Sequence, residues 1–233
     1  MSATAVPPLV TWTGRLFVVG SALFMVGVPL SLVPALPPLA SAATFAVGAV
    51  FFTAAATCQL QLARRELPAR ARHAIAFWRG RTSDWVSAAV QLAGTVLFNV
   101  NTIRAAVLIG ADPTVLDRAV WRPDAVGSVL FLVSGLVAMA PEVRERRHAH
   151  VSLRSATIAW LNLAGSILFG ASAIGAYVIV DTGRQVSLVW SNVGTFWGAA
   201  CFAFAAVLFG RPDPAAPPVA PRPEPTRRRE TRP

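Results

Sequence analysis

The sequence contains no lysine; all 21 of its basic residues are arginines. Charge of either sign is scarce, at 14% of residues against about 25% in soluble domains. A folded surface of this size in water needs more, so a soluble globular fold is excluded as the simple reading. Cysteine occurs only as Cys58 and Cys201, both inside apolar runs. That excludes a disulfide framework, and the two thiols read as small packing residues. The three histidines, His73, His148 and His150, have no cysteine partners at metal-ligand spacing. The His148/His150 pair could hold a metal only weakly, and a solvated loop is the simpler reading. No G-x-S-x-G, H-E-x-x-H or phosphate-cradling glycine loop occurs. No Asp or Glu falls deep in an apolar run, which removes the usual intramembrane proton relay. Enzyme activity, a cofactor and proton coupling are therefore not expected.

What the chain has instead is length without charge. Six apolar runs cover about 14–33, 39–62, 85–109, 123–141, 155–180 and 187–209. Each can cross a bilayer as a helix, the form that satisfies backbone polar groups where water is missing. The expectation is an all-α integral membrane protein with six transmembrane helices, built as three tandem helical hairpins over about 14–62, 84–141 and 155–209. The transmembrane domain then spans 1–210. The tail, 211–233, holds eight prolines and six arginines and is expected to be disordered. Ala40-Ser41-Ala42 offers a signal-peptidase pattern after the first run. That run is longer than a signal core and has one basic residue, Arg15, ahead of it, so it is read as a retained span.

The arginines orient the chain. Seventeen fall before the first run, in the second and fourth connections and in the tail; four, Arg104, Arg118, Arg122 and Arg184, fall on the other side. By the positive-inside rule both termini are cytoplasmic, and a bacterial inner membrane is the expected location. The net charge of +10 is spread as topology signals and as attraction to anionic lipid headgroups, so no nucleic-acid partner is expected. Residues 69–79, ARARHAIAFWR, suit a short helix lying on the inner leaflet.

The string QLAGTVLF at 91–98 returns as NLAGSILF at 162–169. Every run carries a related pattern at steps of three and four, which keep one helical face. The six sets are Phe17/Gly20/Phe24/Gly27, Phe45/Gly48/Phe52/Ala55, Gln91/Gly94/Phe98/Asn101, Asp124/Gly127/Phe131/Ser134, Asn162/Gly165/Phe169/Ser172 and Ser191/Gly194/Gly198/Cys201. Gly20, Gly48, Gly94, Gly127, Gly165 and Gly194 are the expected helix-packing positions, since small residues let backbones approach in lipid. Ser21, Thr95, Ser128 and Ser166 lie about 100° further round and should tolerate Ala or Val better wherever they face lipid or a looser contact.

The Gly-Ser-x-Leu-Phe signature, followed by a short connection and another apolar helix, resembles the YrhK-like two-helix membrane domain, best over 15–62 and 155–209. DWVSAAVQLAGTVLFNVNTIRA and DRAVWRPDAVGSVLFLVSG also resemble uncharacterised actinobacterial multi-pass membrane proteins. The resemblance implies a helical hairpin unit and carries no activity and no catalytic residue.

Gln91, Asn99, Asn101, Arg104 and Asn162 interrupt the apolar background. Intramembrane polar groups are costly and often functional. They form either a seam lining a solute path or interhelix hydrogen bonds worth about 0.6 kcal/mol each, with the structural reading preferred. Arg104 faces an anion, pairs with Asp112, Asp117 or Asp124, or snorkels to the headgroups. The stretch 117–124 reads as an interfacial anchor around Trp121, and Thr82 as a helix cap. The leading functional reading is a non-enzymatic structural or regulatory protein, acting through helix packing and assembly with itself or a membrane partner. The alternative is a passive channel or facilitator for a small solute.

Overall fold

The computed structural model describes residues 8–67, 82–145 and 152–211. Six long helices dominate: α1 (Pro8–Ser31), α2 (Pro38–Glu66), α3 (Ser83–Val107), α4 (Arg122–Glu145), α5 (Leu153–Ala176) and α6 (Leu188–Phe209). Each is long and apolar enough to cross a membrane. Only 33–44% of the most apolar stretch of each is buried within the protein. The rest of each helix presents residues such as Val50, Val129, Ile167 and Phe204 outward, a surface suited to hydrocarbon and not to water. This is an all-α, multi-pass membrane protein.

Local chemistry explains the helix starts. Pro38 sits in the first turn of α2, where its missing N–H costs nothing. Thr82 and Ser187 accept hydrogen bonds from the Trp85 and Trp190 backbone N–H groups, at 3.3 and 3.2 Å, and cap α3 and α6. Three boundaries differ from the sequence expectation. The first helix begins at Pro8, ahead of residue 14, and Arg15 lies within it over the Trp12 ring. The stretch read as an anchor at 117–124 is helical throughout. A turn at Pro113–Leu116 and a π-helical turn at Asp117–Trp121 run straight into α4. The fifth helix stops at Ala176, not at 180, because Val178–Ile179 pairs antiparallel with Arg184–Gln185. Consecutive β-branched residues suit that strand, and Gly183 takes the left-handed conformation its turn requires, at φ 63°. The expected surface helix at 69–79, the His148/His150 pair and the tail beyond Arg211 lie outside the described residues.

The helices close into a ring in which each packs on its chain neighbours and α6 returns to α1. Both described ends therefore lie at one end of the bundle, where Gly14 meets Gly210. We call this the terminal half and the opposite one the distal half. Inside each hairpin a glycine leaves a hollow for its partner's ring. A Cβ at Gly20 would stand 2.7 Å from the Phe52 ring, one at Gly94 2.7 Å from Phe131, and one at Gly165 3.0 Å from Phe202. In the third hairpin the facing glycine is Gly198, whose Cβ would lie 2.6 Å from the Phe169 ring. The α6 set is thus Thr195/Gly198/Phe202/Ala205, one turn from the set expected at Gly194. Gly194 packs just as closely, but against backbone: a Cβ there would stand 2.5 Å from the Leu168 carbonyl. Gly127 is roomier, since the nearest neighbour of a Cβ there would be 3.3 Å away.

Ser21, Thr95, Ser128 and Ser166 are all buried, at 3% exposure or less. A helix in a closed ring has two neighbours, so a turn of about 100° leads to the second interface and not to lipid. Ser166, for example, lies against Gly135 of α4.

At the centre each helix contributes one phenylalanine: Phe24, Phe52, Phe98, Phe131, Phe169 and Phe202, all 3–7% exposed. Their rings meet edge to face, tilted or stacked at centroid distances of 5.0–6.4 Å. Each such pair contributes about 0.5–1.5 kcal/mol beyond burial. That matters in lipid, where apolar burial does not drive helices together. Phe169 touches four of the other five.

Candidate functional site

The phenylalanine layer separates two sets of polar side chains. In the distal half the polar groups tie helix to helix, Ser128 Oγ being buried without a partner. Asn101 Nδ2 donates to Asp124 Oδ1 at 2.7 Å, joining α3 to α4. The Ser172 hydroxyl reaches the Ser191 carbonyl and the Thr195 hydroxyl, both at 2.7 Å, joining α5 to α6. Trp121 Nε1 donates to the Ala173 carbonyl at 2.8 Å, and its ring packs on Tyr177. Level with the layer, Asn99 Nδ2 donates to Thr53 Oγ1 and to the Ala49 carbonyl, joining α3 to α2.

Arg104 takes none of the carboxylates expected for it. It donates to the Ala119 carbonyl at 3.4 Å. Asp117 is held by Arg122 at 2.9 Å, Asp124 by Asn101, and Asp112 caps the Thr114 N–H.

The terminal half is built differently. There the helices enclose a cavity of about 380 Å³ whose floor is the Phe17 and Phe202 rings, beside the phenylalanine layer. Gln91 and Asn162 line it, with Gln59 from α2. Gln91 is only 8% exposed, and among the described residues its side chain makes no hydrogen bond with protein. The same holds for the Asn162 side chain, and Gln59 Oε1 is buried without a partner. Ser87 also lines the cavity but is tied to Ser134, at 3.0 Å to its carbonyl. Glu66 and Asp84 stand exposed at the mouth. No group of three or more His, Cys, Asp or Glu able to hold a metal exists among the described residues.

The expected seam is therefore not one seam. Gln91 and Asn162 share the cavity; Asn99, Asn101 and Arg104 are engaged elsewhere. Gln59 escaped the sequence reading although its signal was present: it continues the α2 row Phe52, Ala55 by a further step of four. Thr13, Ser87, Ala138 and Ile158 continue their own rows in the same way, and all line the cavity. The cavity is the place where the rows run past their phenylalanines. An unsatisfied buried polar group costs about 1–3 kcal/mol, so the Gln59 oxygen, with the unbonded Gln91 and Asn162 amides beside it, calls for something to fill the space, water or a solute.

No family model matches the chain, and no curated protein or solved structure does either.

Proposed function

We propose that this chain is a non-enzymatic membrane protein that binds a small polar solute in its terminal-half cavity. The solute passes the bilayer passively when the phenylalanine layer opens. The observation that carries the reading is Gln91, nine-tenths buried and unpartnered, aimed into a cavity with Gln59 and Asn162 beside it. A volume of about 380 Å³ lies at the small end of the roughly 300–1,000 Å³ typical of ligand sites. The leading reading from sequence, a structural or regulatory role through helix packing and assembly, draws support from the Asn99 and Asn101 hydrogen bonds but leaves Gln59, Gln91 and Asn162 in the cavity without a use.

Two further readings belong with this one. The arginine distribution supports cytoplasmic termini in a bacterial inner membrane. Single cysteines in the 110–122 connection and in the 63–83 connection should then label from opposite sides of the membrane; labelling of both from outside would overturn it. The recurring glycine-and-ring contact in all three hairpins supports copies of one two-helix unit, as the YrhK-like resemblance implies. Transplanting the 155–209 hairpin in place of the 14–62 hairpin should preserve a folded bundle, and loss of folding would count against equivalence.

The function is tested with the full chain in liposomes, following entry of a panel of small neutral and charged solutes. At least one should enter faster than in protein-free vesicles, and Gln91→Leu should return its rate to background with the melting temperature unchanged. Background rates for every solute, in protein that is folded, would sink the proposal.

A further inference from the structure

We propose that the cavity takes a small organic cation carrying an ammonium group; this rests on the solute-binding reading above. The first support is a contrast of charge. The terminal half is the arginine-rich end of the molecule, with Arg15, Arg64, Arg65, Arg154 and Arg211 among its described residues. None of these lines the cavity, and among the described residues the ionisable side chains that do, Glu66 and Asp84, are both acidic. Neither is in an ion pair among the described residues. A mouth of one sign within a surface of the other concentrates solutes of the opposite charge at its entrance.

The second support is independent and lies deeper. Gln59, whose buried Oε1 has no partner, offers an amide oxygen as acceptor below the carboxylates, and Gln91, 8% exposed, adds an unbonded amide beside it. An ammonium group has N–H donors and no acceptor, so it satisfies oxygens and leaves no lone pair stranded. The third is the floor. Phe17 and Phe202 present rings, which hold an alkyl segment by contact and a cation by the negative ring face. A calcium or magnesium ion would need six or more oxygens around one point, and a phenyl floor cannot supply them. An anion would meet two carboxylates on the way in.

The chemistry therefore runs in sequence along the cavity: carboxylates to admit the charge, amides to bind the head group, rings to receive the carbon chain.

The test compares uptake of ethanolamine, an ammonium at neutral pH, with uptake of ethylene glycol, a neutral molecule of similar size, by the full chain in liposomes. Ethanolamine should be favoured by about tenfold, the lower end of electrostatic enrichment, and the preference should shrink as ionic strength rises. The double variant Glu66→Gln/Asp84→Asn should lose the preference through a fall in ethanolamine uptake. Both side chains are solvent-exposed, and a melting curve checks that the variant folds. Equal uptake of the two solutes, or a preference untouched by the double variant, overturns the cation assignment and leaves solute binding standing. Uptake of neither by folded protein also overturns the cation assignment, and solute binding falls with it only if the whole panel stays at background.

Discussion

Gln91 and Asn101 lie on one face of the same helix, and the bundle treats them in opposite ways. Asn101 is locked to Asp124 across the α3–α4 contact, while Gln91 ends in a cavity without a partner. The other carboxamides divide in the same way: Asn99 ties α3 to α2, while Gln59 and Asn162 stand in the hollow beside Gln91. In lipid, an amide side chain either fastens helices or waits for something that is not protein, and residue type alone does not say which. For these amides, position relative to the phenylalanine layer does.

Substitutions should break this contrast in a graded way. The largest effect is expected at Gly194, in the tight distal part of the third hairpin. A Cβ there would stand 2.5 Å from the Leu168 carbonyl and 2.8 Å from the Ser172 nitrogen, both backbone atoms that cannot swing aside. Gly194→Ala should cost about 3 kcal/mol, the upper range for overpacking, read as a loss of unfolding free energy in detergent. Gly170, with open space around it, is the control and should accept Ala at no cost. Equal effects at the two glycines would undo the packing account.

Next comes Asn101→Leu, which strips the hydrogen bond from Asp124 and should destabilise by about 2 kcal/mol in the same assay. The smallest effect is expected for Gln91→Leu. It breaks no hydrogen bond, so the change should stay below about 0.6 kcal/mol, the mean worth of an interhelix bond in a membrane protein. A Gln91→Leu penalty matching that of Asn101→Leu would mean that both amides are ties, and the division between the halves would fall.

The six spans were legible because length and low charge are properties of single segments. The glycine and phenylalanine rows were legible because steps of three and four fix a helical face without knowledge of the neighbour. Two cases show where that knowledge is needed. Both Gly194 and Gly198 keep the α6 face, and only the partner helix, through Phe169, selects Gly198 as the counterpart of Gly48 and Gly127. Rotation alone carries Ser21, Thr95, Ser128 and Ser166 away from the packed face, but a closed ring gives each helix a second buried side. Ring closure joins α6 to α1 across nearly the whole chain, and no local pattern records it. The cavity was out of reach for the same reason, although each residue lining it sits on a row that could be followed.

The rings of the central layer carry one more consequence. Six discs set at the corners of a hexagon enclose a gap as far from each disc as the discs are from one another. A perfectly regular repeat would therefore leave a hole on the axis. Phe169 and Phe202 remove it by leaving their corners: Phe169 touches Phe24, Phe98, Phe131 and Phe202, and Phe202 reaches Phe52 and Phe131 across the layer. The seal of the septum is thus an act of broken symmetry shared by α5 and α6. Unsealing it does not require six helices to part, only that these two rings return to the perimeter.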